Sequence, residues 1–252
     1  MNSQQPEHLK KWVDNEYSRA DGDPWGLDWR PSQKYRYNLV LELINHHAPS
    51  HEFTVLDIGC ATGHFSNQVY HSFNEKLKQV NAIDISEIAI ERSKNNYPHI
   101  NFMCMGIEQI NTTYQNKQDI IICLETLYYL NEEERKQAVS DMIHILEPNG
   151  LLIISSLNSH GPYLLQDEIT SLLGDQEILE VVYVCAKPFI FIERIVIKVQ
   201  KLLEKLKLNT RLPSKLYRFL IRPGAVSTVS NFLCRTARSI SLTHTIILAE
   251  KS

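Results

Sequence analysis

Two glycines and two aspartates carry the clearest chemistry in this chain. The run Val55-Leu56-Asp57-Ile58-Gly59-Cys60-Ala61-Thr62-Gly63-His64-Phe65 passes from apolar residues through a glycine turn into a segment of helical pattern. Glycine is needed where the backbone turns tightly or lets a ligand approach closely. In an open α/β sheet, ligands bind just beyond the carboxyl ends of the strands. A dinucleotide would ask for G-x-G-x-x-G, with its pyrophosphate against the helix N-terminus. Here Ala61 stands in place of the middle glycine, and Asp57 precedes the turn, where it would repel a phosphate. A carboxylate in that place suits a cationic group such as an amine. Asp84 closes a second apolar run, and an acid there can accept hydrogen bonds from two ribose hydroxyls.

A second group falls where a reaction partner would meet that ligand. Glu125, Tyr128 and Tyr129 follow the apolar run Asp119–Leu124. His160 follows the run Leu151–Ser155, and a histidine titrating near neutrality can take a proton from a hydroxyl. The plain alternatives are packing for one of the tyrosines and a surface-loop histidine. The arm over residues 1–36 is polar but carries Trp12, Tyr17, Trp25, Trp29 and Tyr35. These rings suit a lid with a stacking face for a sugar, or a clamp that holds the arm to the core.

Such residues need a scaffold, and the rest of the chain supplies its pattern. Helical spacing runs from Ser32 to His47. Strands are expected at Phe53–Ile58, Gln79–Ile83, Ile100–Met105, Asp119–Leu124 and Leu151–Ser155. Helices are expected at Phe65–Phe73, Glu87–Asn95 and Glu132–Leu146, the last ending at Pro148-Asn149-Gly150. A further helix at Gln166–Leu173 and strands at Ile178–Val184 and Thr243–Ala249 complete the series. Alternation of this kind predicts an α/β, Rossmann-like, doubly wound and mostly parallel seven-stranded sheet with helices on both faces.

Four segments together resemble the class I S-adenosylmethionine-dependent methyltransferases. Val55–Gly63 resembles their first motif, Asp84 their ribose-binding acid, Asp119–Glu125 their fourth strand, and Leu146–Ile154 their turn and fifth strand. Asp21–Trp25, Lys34-Tyr35 and Glu125–Leu130 are similar to the nodulation protein S (NodS) group, which methylates an amine on a chitooligosaccharide. The resemblance implies S-adenosylmethionine as cofactor. It places Asp57, Gly59, Cys60, Ala61, Gly63 and His64 at the methionine end and Asp84 with Ile85 at the ribose. Gly106 and Ile107 fall at the adenine, with Glu108 as a substitute for an absent acid, and Leu124 and Glu125 fall at the edge of the site. Their places along the chain, rather than the resemblance, give Glu125, Tyr128 and His160 as catalytic candidates and Tyr17, Trp25 and Tyr129 as substrate-binding ones. No metal is implied. Asn149 departs from the family's glycine but also tolerates positive φ.

Composition bounds the rest. The chain has 252 residues, 43% hydrophobic and 22% charged, with a net charge of −3. That excludes wholesale disorder and gives no whole-chain case for nucleic acid. The near balance hides an asymmetry. Residues 187–222 hold ten Lys or Arg and two acids, a net +8, which leaves −11 on the remainder. On a helix over 192–206, apolar Ile192, Ile195, Val196, Val199, Leu202, Leu203 and Leu206 form one stripe, with Arg194, Lys198, Lys201 and Lys205 opposite it. Either the stripe packs on the core as a lid, or the segment 187–222 contacts an anionic membrane or lipid-linked acceptor.

Five widely spaced cysteines without a C-x-x-C pair predict free thiols and a reducing compartment. The polar start and the lack of a long apolar run predict a cytoplasmic protein, at most peripheral at the inner membrane surface. The expected organisation is one methyltransferase domain over 1–252: a cap at 1–36, a core at 37–186 and 240–252, and a basic amphipathic helical insert at 187–239. The expected function is methyl transfer to O or N of a small-molecule, sugar or glycolipid-like acceptor. An NAD(P)-dependent oxidoreductase and a non-catalytic, cofactor-binding, membrane-associated protein are the alternatives.

Overall fold

The computed structural model describes residues 6–18, 23–114, 117–158, 163–208 and 212–252. Its centre is a seven-stranded sheet: β1 (Phe53–Ile58), β2 (Leu77–Asp84), β3 (Asn101–Cys104), β4 (Gln118–Leu124), β5 (Leu146–Leu157), β6 (Glu177–Val184) and β7 (His244–Glu250). The order is β3-β2-β1-β4-β5-β7-β6. Pairing is parallel except at β7, which runs antiparallel to both β5 and β6. Strand order reverses between β1 and β4, so their carboxyl ends open the crevice where this architecture binds ligands. The expected fold class is therefore the observed one.

The strands' composition explains their place. Ile120, Ile121, Ile122 and Cys123 of β4 are all fully buried, as befits a strand covered on both faces. On one face lie α2 (Pro31–His47) and α3 (His64–Phe73), packing Val40, Ile44, Phe65 and Val69 against Val55, Ile122 and Ile153. On the other lie α6 (Glu132–Ile145) and α7 (Gln166–Leu173), packing Val139, Met142 and Ile169 against Leu56, Ile121 and Ile247. Helix α6 begins in a capping box, with Asn131 Oδ1 accepting from the Glu134 amide and Glu134 Oε2 from the Asn131 amide. The short α4 (Glu87–Asn96) and α5 (Ile110–Thr113) flank β3.

Four details differ from the sequence reading. The polar arm contains a helix, α1 (Pro6–Tyr17), which buries Val13 and Tyr17 against Ala89 of α4. Its single buried edge is too narrow a stripe to register as helical spacing. Second, α6 stops at Ile145, and Pro148-Asn149-Gly150 lies within the first residues of β5. Asn149 holds φ +62°, and a Cβ on Gly150 would stand 2.8 Å from the Glu147 carbonyl oxygen and 3.1 Å from that of Asp119. Close backbone approach, rather than helix termination, is why that position is glycine.

Third, Cys185 and Cys234 are bridged, with Cα atoms 5.5 Å apart, so the expectation of five free thiols is corrected. The pair joins the end of β6 to α10 (Pro223–Thr236) across 49 residues, a separation that carries no sequence signal. Fourth, the insert is a set of helices, α8 (Lys187–Lys205), α9 (Leu212–Leu220), α10 and α11 (Arg238–Ser241), and most of the apolar stripe of α8 does not pack on the core. Ile192, Ile195, Val199, Leu202 and Leu206 are exposed, and the face turned inward carries Phe189 and Glu193. Val196 and Leu203 of the same stripe are half-buried, so most of the stripe, though not all of it, is left to the solvent. Glu193, fully buried, takes a hydrogen bond from Arg30 Nε at 2.8 Å, from the Ser32 amide at 3.0 Å and from the Ser32 hydroxyl. It thus sits at the N-terminus of α2, where the helix dipole favours an anion.

Candidate active site

The turn after β1 is built by its glycines. Gly59 and Gly63 hold φ of +78° and +74°. A Cβ on Gly59 would fall 2.1 Å from Thr126 Oγ1, and one on Gly63 would fall 2.5 Å from Phe102 Cζ. Both positions therefore need glycine for conformation and for space. The Gly59 and Cys60 amides both donate to the Ile83 carbonyl, at 2.8 and 2.9 Å, which locks the turn onto β2. Ala61, at φ +53°, adopts the glycine-like conformation without being glycine. Its amide donates to Asp84 Oδ2 at 2.9 Å, while the Ser86 amide donates to Asp84 Oδ1 at 2.9 Å. Asp84 thus ties the glycine turn to the start of α4. Ser86 caps that helix and also donates to Asp14 of α1 at 2.6 Å.

The two acids sit in an electrostatically unfavourable state that a ligand would relieve. Asp57 is buried and, among the described residues, accepts only the Ser66 hydroxyl, at 2.6 Å. Burial pushes its carboxyl up to about 7; the Ser66 hydrogen bond opposes this and the charge of Asp84 adds to it. Burial also pushes Asp84 up, against its two amide donors. Among the described residues neither acid has an ion-pair partner. Two buried carboxylates beside a glycine turn fit a ligand that brings positive charge and hydroxyl donors. S-adenosylmethionine, with an ammonium, a sulfonium and a ribose diol, has that chemistry. On the far side, the Glu108 carboxylate folds over Gly106, where an added Cβ would meet it at 2.2 Å. Ile107 beside it is buried.

Glu125 follows β4 with φ +58°. Its Oε1 pairs with Arg36 Nη1 at 2.9 Å and accepts the Ser155 hydroxyl at 2.8 Å. Among the described residues its Oε2 is buried with no hydrogen-bond partner, as are Arg36 Nε and Gln33 Nε2. Arg36 Nη2 donates to Gln33 Oε1 at 2.9 Å. This cluster presents two unused donors and one unused acceptor at the carboxyl edge of β4 and β5. Arg36 and Gln33 were missed in the sequence. The available signal was a charged residue between Tyr35 and Tyr37, inside the buried side of α2.

The aromatic residues divide. Tyr17 meets Trp25 edge-on at 4.9 Å, Trp12 lies 6.2 Å from Trp25 and 6.0 Å from Tyr129, and Tyr129 lies 4.7 Å from Tyr128. Tyr163 continues the row at 4.9 Å from Tyr128. These rings run from α1 to the segment after β4, across the mouth of the glycine turn. Trp29 instead packs on Tyr217 of α9, and Tyr35 is in the core. Burial raises the Tyr128 hydroxyl far above its ordinary value, with Glu125 adding to the effect, so it stays protonated and donates. Burial also raises Tyr17, with the charge of Asp84 next in weight. His64 turns to Gln68 and Tyr97, at 2.9 and 3.5 Å, and burial favours its neutral form. His160 lies outside the described residues, as do Asp21 and Gly22.

A family model for nodulation protein S (NodS) matches residues 6–161. The chain belongs to the NodS family. The matched span takes in α1, the glycine turn, Asp84 and the strand that ends at Glu125. The solved N-methyltransferase NodS from Bradyrhizobium japonicum WM9 in complex with S-adenosyl-L-homocysteine is similar at 24% identity, with a TM-score of 0.59, over 69% of this chain and 89% of that one. The [4+2]-cyclase SpnF shares the fold over 99% of this chain and 97% of that one, with a TM-score of 0.64 at 14% identity. Among curated proteins, a malonyl-[acyl-carrier protein] O-methyltransferase from Bacillus anthracis is 29% identical over 49% of this chain and 45% of that protein. A ubiquinone biosynthesis O-methyltransferase from Rickettsia canadensis is 27% identical over 63% and 66%. This NodS-family chain therefore spans about half to two thirds of the curated relatives it matches. The shared fold is that of the class I S-adenosylmethionine-dependent methyltransferases.

Proposed function

We propose that this chain is an S-adenosylmethionine-dependent methyltransferase acting on O or N of a small-molecule, sugar or glycolipid-like acceptor. The observation that carries the reading is the pair of buried, unpaired carboxylates, Asp57 and Asp84, on either side of a turn that only glycine at 59 and 63 can form. The cofactor supplies a methyl already activated on a sulfonium, so the protein's work is in-line positioning. Asp57, with Gly59, Cys60, Ala61 and Gly63, holds the methionine end, and His64 borders it. Asp84 and Ile85 hold the ribose, Gly106 and Ile107 the adenine side, and Leu124 the edge toward the acceptor. Glu125 Oε2 accepts from the acceptor's hydroxyl or amine, Tyr128 donates, and His160 takes a proton where the acceptor is a hydroxyl. Tyr17, Trp25 and Tyr129 present ring faces and edges to the acceptor, as a sugar would require.

The relatives are O-methyltransferases and the solved NodS is an N-methyltransferase, so both acceptor atoms stay within the reading. One domain with a cap at 1–36 and an insert at 187–239, in the cytoplasm or at the inner membrane surface, belongs to the same proposal. Among the described residues, no helix is long and apolar enough to cross a membrane. Incubation with radiolabelled S-adenosylmethionine and fractionated extract should label one acceptor class. Cofactor binding with no labelled product would favour the non-catalytic alternative. Tighter binding of NADH than of S-adenosylhomocysteine would favour the oxidoreductase.

The state of Asp57 adds a pH dependence. Its folded value of about 7 stands above the ordinary 3.8, so the free protein holds it protonated below about 7. The stability this lends is full below the ordinary value and is lost as pH rises through the folded value. A cationic ligand needs the ionised form, so binding below about 7 must expel a proton. Cofactor affinity should be flat above about pH 7 and fall by up to tenfold per unit below it, roughly 30-fold by pH 5.5. Calorimetry in buffers of different ionisation enthalpy would show the released proton. A flat profile from pH 5.5 to 8 would remove Asp57 from the cation's side.

A further inference from the structure

We propose that the outward faces of α8 and α9 form a docking surface for an anionic lipid bilayer. Large exposed apolar side chains are concentrated in this part of the molecule: of the 17 such residues among those described, 14 fall between Phe191 and Ile240. Phe191 is 67% exposed and Phe219 76%. A soluble surface seldom concentrates so many large exposed apolar side chains in one segment without a partner.

The two helices share one arrangement. At about 100° per residue, α8 has three sectors. Phe189 and Glu193 face the body with Val196 and Leu203 half-buried beside them, Ile195, Leu202 and Leu206 are exposed, and Arg194, Lys198 and Lys205, opposite the stripe taken whole, border this exposed part of it. On α9, Tyr217 faces the body, Leu212, Leu216 and Phe219 are exposed, and Lys215 and Arg218 occupy the bordering sector, displaced in the same rotational sense. An apolar strip with cations along its rim is the geometry of a helix lying in a membrane interface, its apolar side in the acyl boundary and its cations at the headgroups.

Charge selects the occupant. Residues 187–222 carry a net +8, so a second copy of the same face would set +8 against +8. An anionic bilayer meets both demands, burying the apolar residues and neutralising the cations. The core does not compete for the strip, because the inward sector of α8 is already filled by Phe189 and by the Glu193 contacts to Arg30 and Ser32. Those contacts lie at the start of the helix that carries Gln33 and Arg36, so the surface is joined to the acceptor edge by one helix. Docking itself does not depend on methyl transfer; only delivery of a lipid-linked acceptor rests on the proposed function.

Sedimentation of the full chain, without cofactor, with phosphatidylcholine vesicles lacking or containing about a third phosphatidylglycerol tests this. Binding to the anionic vesicles should exceed that to the neutral ones at least tenfold at about 0.05 M salt, and weaken at about 0.5 M as screening shortens. The variant Phe191→Ser with Phe219→Ser should lose at least nine tenths of the binding while keeping its melting temperature and cofactor affinity. Lys198→Glu with Arg218→Glu should abolish the preference for anionic lipid. Absence of binding at low salt, or unchanged binding by the serine variant, would overturn the proposal. So would a wild-type dimer that the serine variant turns into a monomer, because the strip would then belong to a second copy. Since no methyl acceptor is present, these outcomes stand apart from success or failure of the labelling experiment.

Discussion

Asp84→Ala should lower S-adenosylmethionine affinity at least 100-fold, measured by calorimetry at pH 8. Asp84 spends one lone pair of each oxygen on the Ala61 and Ser86 amides, which aims the carboxylate rather than saturating it. The lone pairs left over are those a ribose diol would use. Hydrogen bonds to a charged acceptor contribute about 1.5–3 kcal/mol each, so losing two costs about 3–6 kcal/mol, or two to four decades in affinity. A second contribution comes through the loop. Ala61 sits at φ +53°, a conformation costing a non-glycine residue about 1 kcal/mol, and the hydrogen bond its amide donates to Asp84 helps hold it there. The alanine variant should therefore also melt a few degrees lower. Asp84→Asn keeps one acceptor oxygen and loses the charge, so it should fall between wild type and alanine. Unchanged affinity in the alanine variant would show that the ribose does not meet Asp84.

What the sequence disclosed and what it hid follow from the range of the interactions involved. The glycine turn was legible because its conformation is local, with Gly59 and Gly63 both at positive φ; the crowding by Thr126 and Phe102 that also requires them is distant in sequence and adds no signal. The strands were legible because burial on both faces demands unbroken apolar runs such as Ile120–Cys123. Arg36 was not, because its partners Glu125 and Ser155 are distant in sequence and its helix reads as amphipathic without it. The Cys185–Cys234 bridge was hidden for the same reason. The orientation of α8 failed more instructively. Hydrophobic spacing assigns the apolar stripe to the core, yet the face of α8 turned inward carries a buried carboxylate with three donors, and most of the stripe is exposed. A buried ion held by good hydrogen bonds is costly to expose, and spacing rules do not weigh it.

Glu193→Ala is the substitution that separates those two views of the insert. Counted by sequence, Glu193 is one of two acids in a segment of net +8, and removing it should be close to neutral. In the fold it is fully buried, paired with Arg30 and capping the first turn of α2 through the Ser32 amide. Its loss leaves a half-buried guanidinium and a helix-terminal amide without their acceptor. Breaking a buried pair from one side typically costs about 3–5 kcal/mol, and Arg30, 19% exposed, recovers part of this from water. A loss of about 3 kcal/mol should lower the melting temperature by roughly 6–12 °C. Glu193→Gln keeps an acceptor without the charge and should lose about half as much. The functional effect should be selective. Asp57 and Asp84 are held by β1, β2 and the glycine turn, so cofactor affinity should change little. Gln33 and Arg36 ride on the helix that Glu193 anchors, so the acceptor's KM should rise several-fold. A melting temperature unchanged in Glu193→Ala would mean that the insert is held by its apolar contacts alone, and that the carboxylate does not decide which face of α8 is left to the solvent.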